Sequence, residues 1–215
     1  MSLSGQAAAP SRRGGDPETQ RERALATRSD ILATARKLFG EAGYHTTGTT
    51  EIVTLSGMTR GALYHHFAGK EDLFEAVFRQ VAGELVNRSN TAVARLSGEL
   101  WPQVQEAFRQ YLLLIAATKE YRRILLIDGP AVLGWVRWRE LQSEFVAQGI
   151  AEALQLLMDG GLVQRQPTMA LACMIQATLQ DAALTIANAP AGSNVADEAM
   201  AAFLFILNGI KKIPS

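Results

Sequence analysis

The chain has 215 residues, 48% of them hydrophobic, with 21 Lys and Arg balancing 21 Asp and Glu and a single cysteine, Cys173. That length and apolar content support a substantial core in one large domain or two small ones. Balanced charge excludes a basic coat over the whole molecule but not a local basic patch, and one cysteine excludes an intramolecular disulfide framework or a thiolate metal cluster.

The lone cysteine fits a reducing cytoplasm, which is the expected location. No apolar run approaches the roughly 18 residues needed to span a bilayer, so no membrane partner is expected. The first twenty residues also lack the continuous apolar segment of a signal peptide. Residues 1–22 are rich in Ser, Gly, Pro and charge and read as a disordered basic arm. Arg12, Arg13, Arg21, Arg23 and Arg28 stand there or just beyond it, against Asp16, Glu18 and Glu22. Such an arm either tracks phosphates beside a DNA reader or is a solvated tail; charge pattern alone leaves both open.

From residue 23 onward the helical period dominates, and no segment alternates as a strand does. Ile31, Leu32, Ala35, Leu38 and Phe39 form one apolar stripe, with Thr27 as its N-cap and Gly43 as its stop. Two short helices fit residues 50–56 and 60–66, separated by Gly57. A long helix opens at Lys70, with Leu73, Phe74, Val77, Phe78, Val81 and Leu85 on one face, and Glu71 and Asp72 suit its N-terminal dipole.

Beyond residue 95 the chain becomes more apolar. Pro102 fits a first helical turn and is followed by Val104, Phe108, Tyr111, Leu112 and Ile115 at helical spacing. The stretch IDGPAVLGW predicts a break, with Asp128 or Gly129 capping a new helix that runs to Asp159-Gly160-Gly161. Pro167-Thr168 opens another helix that closes before Pro190, and Asn194 with Asp197 resembles a capping box for the last one. The expectation is an all-α chain of about nine helices. A three-helix N-terminal group spans 23–69, and a larger helical domain spans 70–215 with the helix from Lys70 as connector.

The stretch TRGALYHHF, residues 59–67, places two adjacent histidines beside a tyrosine and an arginine. With about 100° per residue, Arg60, Gly61, Tyr64 and His65 share one arc of a helix. Ala62, Leu63, His66 and Phe67 share the opposite arc. The two imidazoles thus diverge by about 100°, and the only other histidine is His45, so this is not a metal site; His66 reads as a core residue. No nucleophile elbow, phosphate loop or paired-carboxylate motif occurs, so neither a catalytic residue nor a cofactor is assigned. With Ile52 on the preceding helix and Gly57 at the turn, the segment forms a helix-turn-helix whose outward arc suits a major groove.

Residues 28–78 resemble the DNA-binding domain of TetR-type transcriptional regulators. The resemblance rests on Leu38-Phe39, Gly43-Tyr44, Ile52, Gly57, Thr59, Gly61, Leu63-Tyr64-His65-His66-Phe67 and Lys70-Glu71-Asp72-Leu73. Gly48 departs from the Thr or Ser usual before helix two, so a cap or phosphate contact shifts to Thr47 or Thr49. Val53 replaces a customary alanine. Arg60 is the candidate for a base edge, since a guanidinium can bond guanine bidentately. Tyr64 and His65 are candidates for phosphates, with Thr59, Gly61, Lys70, Thr47 and Thr49 in support.

The resemblance further implies a homodimer on a near-palindromic operator, with a C-terminal domain that binds a small molecule and releases the DNA. A constitutive regulator without an effector is the alternative, and an enzyme or carrier with a helical cavity leaves the Arg-Gly-Tyr-His arc unexplained. Two apolar stripes are candidates for the dimer interface: Leu171, Ile175, Leu179, Ala182 and Ile186, then Phe203, Leu204 and Leu207. Trp101, Phe108, Tyr111, Leu112 and Trp135 are candidate ligand contacts for an apolar or aromatic effector. Trp138, Phe145, Met174, Gln176 and Asp128 complete that set, and Arg123, Gln180 and Asp181 are further polar residues within apolar stretches.

Overall fold

The computed structural model describes residues 17–93, 98–190 and 192–212. Ten α-helices make up the described chain: α1 (Pro17–Glu41), α2 (Thr49–Ser56), α3 (Arg60–His66), α4 (Lys70–Val93) and α5 (Leu100–Ala117), then α6 (Lys119–Tyr121), α7 (Gly129–Gln142), α8 (Gln148–Asp159), α9 (Thr168–Ala187) and α10 (Val195–Asn208). Two π-helical stretches, Arg122–Asp128 and Ser143–Ala147, join α6 to α7 and α7 to α8. No strand occurs among the described residues, so the all-α expectation holds.

The first helix begins ten residues before the expected cap. Pro17 opens α1, so residues 17–22 are helical rather than part of an arm, and Thr27 lies in mid-helix. Arg12, Arg13 and the rest of the expected arm up to residue 16 fall outside the described residues. The two short helices stand where the apolar spacing places them. Ile31, Ala35 and Phe39 of α1 are buried with Ile52 of α2, Leu63 of α3, Phe67, and Leu73 and Phe74 of α4. Burial of each of the larger side chains contributes roughly 1.5–3 kcal/mol, enough to hold helices too short to persist alone.

Two glycines shape this head. Gly57 caps α2 in the left-handed region at φ 68°, and the N–H of Met58 returns to the Val53 carbonyl, which makes the tight turn into α3. Gly43 has φ 94°, and a Cβ there would meet the Arg123 guanidinium at 2.1 Å. Only a hydrogen on that Cα lets the body approach the head so closely.

The break expected at Asp128-Gly129 lies elsewhere. The chain continues in helical geometry through both residues, and the interruption falls at Gly134, with φ 73° and ψ 158°. Asp128 makes no capping bond to α7, and Asn194, although it precedes α10, makes no side-chain cap either. In the body, α9 is long and apolar enough to cross a membrane by length and composition. Yet Ala172, Ile175, Leu179, Ala183 and Ile186 on one of its faces are buried among α5, α8 and α10.

Candidate functional site

Helix α3 is started by Thr59, whose hydroxyl accepts from the Ala62 N–H at 3.1 Å. That bond fixes the first turn and spends the Thr59 acceptor on the backbone. Leu63 turns inward and is fully buried, while Thr59, Arg60, Gly61, Tyr64 and His65 are exposed together. The Arg60 guanidinium lies 5.8 Å from the Tyr64 ring centroid, a cation–π distance. Arg60 first, then Thr49 at the start of α2, act on the Tyr64 phenol and hold its pKa below the ordinary value. The outward face is therefore one connected polar surface, with a cation, a phenol, an imidazole and a side-chain-free stretch of backbone at Gly61.

His66 differs from its expected core role. It is half-buried, its ring meets His65 at 5.1 Å and Phe67 at 6.5 Å between centroids, and burial, His65 and Arg28 all lower its pKa. The rim position follows from the shortness of α3, whose last turn buries Leu63 and leaves His66 at the edge of that contact. Arg28 of α1 covers the other side of Phe67, 5.1 Å from its centroid.

Two of the supporting candidates also change. Thr47 is buried, and its hydroxyl donates to the Gly43 carbonyl at 2.8 Å, so it faces the protein and not a phosphate. The missing hydroxyl at Gly48 is not replaced: α2 has no side-chain cap. Lys70 is half-buried, with Nζ 4.1 Å from the Tyr44 ring centroid; burial lowers its pKa and Asp128 opposes that effect. It stands at the seam between head and body instead of projecting freely.

That seam is polar and continuous. Asp128 accepts from the Tyr44 backbone N–H at 2.9 Å, and Arg123 donates to the Ala42 carbonyl at 2.9 Å while lying 3.5 Å from Asp128. Arg36 of α1 donates to Glu84 of α4 at 2.6 Å and to Glu120 of α6 at 2.5 Å. Arg36 lowers the pKa of Glu84, so this carboxylate stays ionised to lower pH than an ordinary one. Asp128, expected at a ligand, is thus a tie between the π-helical stretch and the loop after α1. No sequence pattern marks Arg36, Glu84 or Glu120, because the partners are 48 and 84 positions apart.

A cavity of about 230 Å³ opens between α4, α5, α8 and α9. Val86, Val104, Phe108, Ile150 and Leu179 form apolar walls, and Ser89, Asn90, Gln103 and Tyr111 supply polar groups. Of the ten candidate ligand contacts, Phe108 and Tyr111 line it. Trp101 is buried at the α5–α10 junction and donates to Asn208 at 3.2 Å. Leu112 is fully buried in the core, and Trp138 is buried with its indole N–H on the Leu125 carbonyl at 2.8 Å. Phe145 packs over Gly83 and beneath Arg79, outside the cavity. Trp135 is 61% and Met174 70% exposed. Trp135 and Gln176 border a separate hollow with Gln180, Asp181 and Cys173.

The expected dimer stripes turn inward. Ile175, Leu179, Ala182, Ile186, Phe203 and Leu207 are all buried within the protomer, and Leu171 and Leu204 are half-buried against the same core. The opposite faces of α9 and α10 carry exposed apolar groups: Ala170, Met174 and Ala177 on one, Ala201, Ala202, Phe205 and Ile206 on the other. Phe205 is 80% and Ile206 54% exposed.

A short helix pair with a polar outward face, carried on a long helix into an all-α body, defines a helix-turn-helix DNA-binding regulator. Residues 31–77 match the family described as bacterial regulatory proteins, tetR family, and residues 101–210 match the tetracyclin repressor-like C-terminal domain. The crystal structure of a TetR-family transcriptional regulator from Pectobacterium atrosepticum superimposes with a TM-score of 0.78 at 33% identity, covering 91% of this chain and 99% of that one. The HTH-type transcriptional regulator UidR of Escherichia coli is 29% identical over 136 residues, 60% of this chain and 67% of that protein. AcrR of Shigella flexneri is 31% identical over 106 residues, and the match spans about half of each protein, 49%. The chain belongs to the TetR family of bacterial transcriptional regulators.

Proposed function

We propose that the chain is a homodimeric repressor that leaves a near-palindromic operator when a small apolar or aromatic molecule occupies the cavity between α4, α5, α8 and α9. One observation carries this reading: α4 serves both ends. Its first residue, Lys70, abuts Tyr44 of the head, and Val86, Ser89, Asn90 and Val93 on its second half line the cavity. Lys70 and Val86 lie about 24 Å apart along the helix axis, at 1.5 Å per residue. A ligand that fits the cavity better in one α4 orientation shifts the equilibrium by that difference in affinity and no more.

At the DNA, Arg60 reads a base edge while Tyr64, His65, Thr59 and Thr49 fix register on phosphates, with Gly61 permitting close backbone approach. Lys70 adds a cation at the seam. A recognition helix of seven residues reads few base pairs, so two copies are needed for specificity. The exposed Met174, Phe205 and Ile206 faces supply the second-copy surface, because exposed apolar patches of this kind mark interfaces. Such a regulator works in the cytoplasm, where its DNA is.

Light scattering of the purified chain is expected to give twice 23.3 kDa, and Phe205→Glu to give the monomer. DNA release is tested by fluorescence anisotropy on a fragment selected from bound genomic DNA, with neutral aromatic probes added. Ala107→Trp, which fills the cavity, should bind the fragment and ignore the probes. Unchanged DNA affinity of the wild-type protein across a saturating probe series would leave a constitutive regulator as the reading.

A further inference from the structure

The cavity walls constrain what enters. Among the described residues, no Lys, Arg, Asp or Glu lines the cavity. A charged ligand would shed its hydration there without a countercharge, a cost of several kcal/mol even after relaxation. The polar groups at hand are also unequal. The Ser89 hydroxyl already donates to the Leu85 carbonyl at 2.8 Å, and the Gln103 amide donates to the Gly98 carbonyl at 3.1 Å.

Asn90 is exposed to solvent at the rim, and Tyr111 is different. It is 8% exposed, lines the cavity, and among the described residues its hydroxyl has no hydrogen-bond partner. The hydroxyl opens onto the cavity space and spends no bond on the protein, so a ligand there meets a free donor on an otherwise buried ring. Burial pushes its pKa far up, so the hydroxyl keeps its proton at every physiological pH and is available as a donor. Phe108, one turn earlier, packs edge-on against Phe203 at 5.3 Å and gives a fixed aromatic wall beside it.

We propose that the cavity takes an uncharged, mostly apolar molecule of on the order of ten non-hydrogen atoms, bearing one oxygen acceptor that receives the Tyr111 hydroxyl proton. A ketone, ester or ether on a small aromatic or branched frame meets these conditions; a carboxylate or ammonium of the same size does not. The inference rests on the reading of this cavity as the effector site. It specifies the ligand by charge and by a single hydrogen bond.

The test uses the full chain without DNA and three probes of equal heavy-atom count: acetophenone, isopropylbenzene and benzoate. Calorimetric titration is expected to rank acetophenone tightest, isopropylbenzene about tenfold weaker for want of the acceptor, and benzoate at least about a hundredfold weaker. Tyr111→Phe should erase the ketone's advantage over the hydrocarbon while leaving hydrocarbon binding intact. Equal or tighter binding of benzoate overturns the proposal, as does an unchanged ketone preference in Tyr111→Phe, or no acetophenone binding at millimolar concentration. The wild-type ketone-to-benzoate ratio decides the matter even if the variant fails to fold. Binding by acetophenone that leaves DNA affinity unchanged would instead sink the release mechanism and keep the ligand class.

Discussion

The head and the body of this molecule use their tyrosines and charges in opposite ways. In the head, polar groups at helical spacing face outward together, because α2 and α3 are short and only one face of each has anything to pack against. In the body, helices are covered on several sides. The same residue types there end as core, as seam or as bare surface according to which neighbours arrive. Trp135 and Trp138 show it within one turn: their rings are 5.1 Å apart, yet one is 61% exposed and the other 1%. A local pattern determines the face of a helix only where one face meets protein.

Substitutions in the body core should sharpen that difference most. Trp138→Ala is expected to cost about 3–5 kcal/mol in denaturant unfolding, whereas Trp135→Ala should stay within about 0.5 kcal/mol. Equal effects would break the distinction between the two. Next comes the seam. Gly43→Ala forces a left-handed residue against Arg123 and should cost about 2–3 kcal/mol, while Gly57→Ala, with open space around it, should cost about 1 kcal/mol. The measurement is the unfolding midpoint at constant slope.

Acid sensitivity provides a third and smaller effect. Arg36 depresses the folded-state pKa of Glu84 below its ordinary 4.5, so the pair's stabilisation is present above that value. It is lost as pH falls through the lowered folded value. Glu84→Gln is therefore expected to unfold at lower denaturant than wild type at pH 7, by about 1 kcal/mol, and to converge with it as pH falls through the lowered folded value. A difference that does not narrow at all as pH falls would mean the carboxylate acts by packing alone.

Much of the head was legible before any coordinates. Gly57, Leu63 and the Arg60-Gly61-Tyr64-His65 arc all occupy their expected places in the fold, because each follows from a helix period or a turn conformation. Thr47 was misread because its outward or inward direction depends on the loop after α1, which Gly43 closes. The body was legible in helix limits, such as α9 between Pro167 and Pro190, and illegible in side-chain destination. Helices α9 and α10 are apolar almost all round, so the strongest stripe turned to the protomer's own core and left the weaker Met174 and Phe205 faces outside. Asp128 was misassigned for a related reason: its partner, the Tyr44 N–H, lies 84 positions away and carries no side-chain signature.

The smallest structural perturbation bears on the central claim. Arg60→Ala removes an exposed side chain and should leave stability within about 0.5 kcal/mol. Equilibrium titration of wild type and Arg60→Ala against a selected operator and its single-base-pair variants, repeated over a salt series, tests the outward arc of α3 directly. The expected result is a loss of about 1–3 kcal/mol that is confined to one or two base pairs per half-site. Lys70→Ala should instead weaken all sequences alike and lower the salt slope by about one. Wild-type affinity and wild-type base preference in both variants would contradict the placement of this face in the major groove.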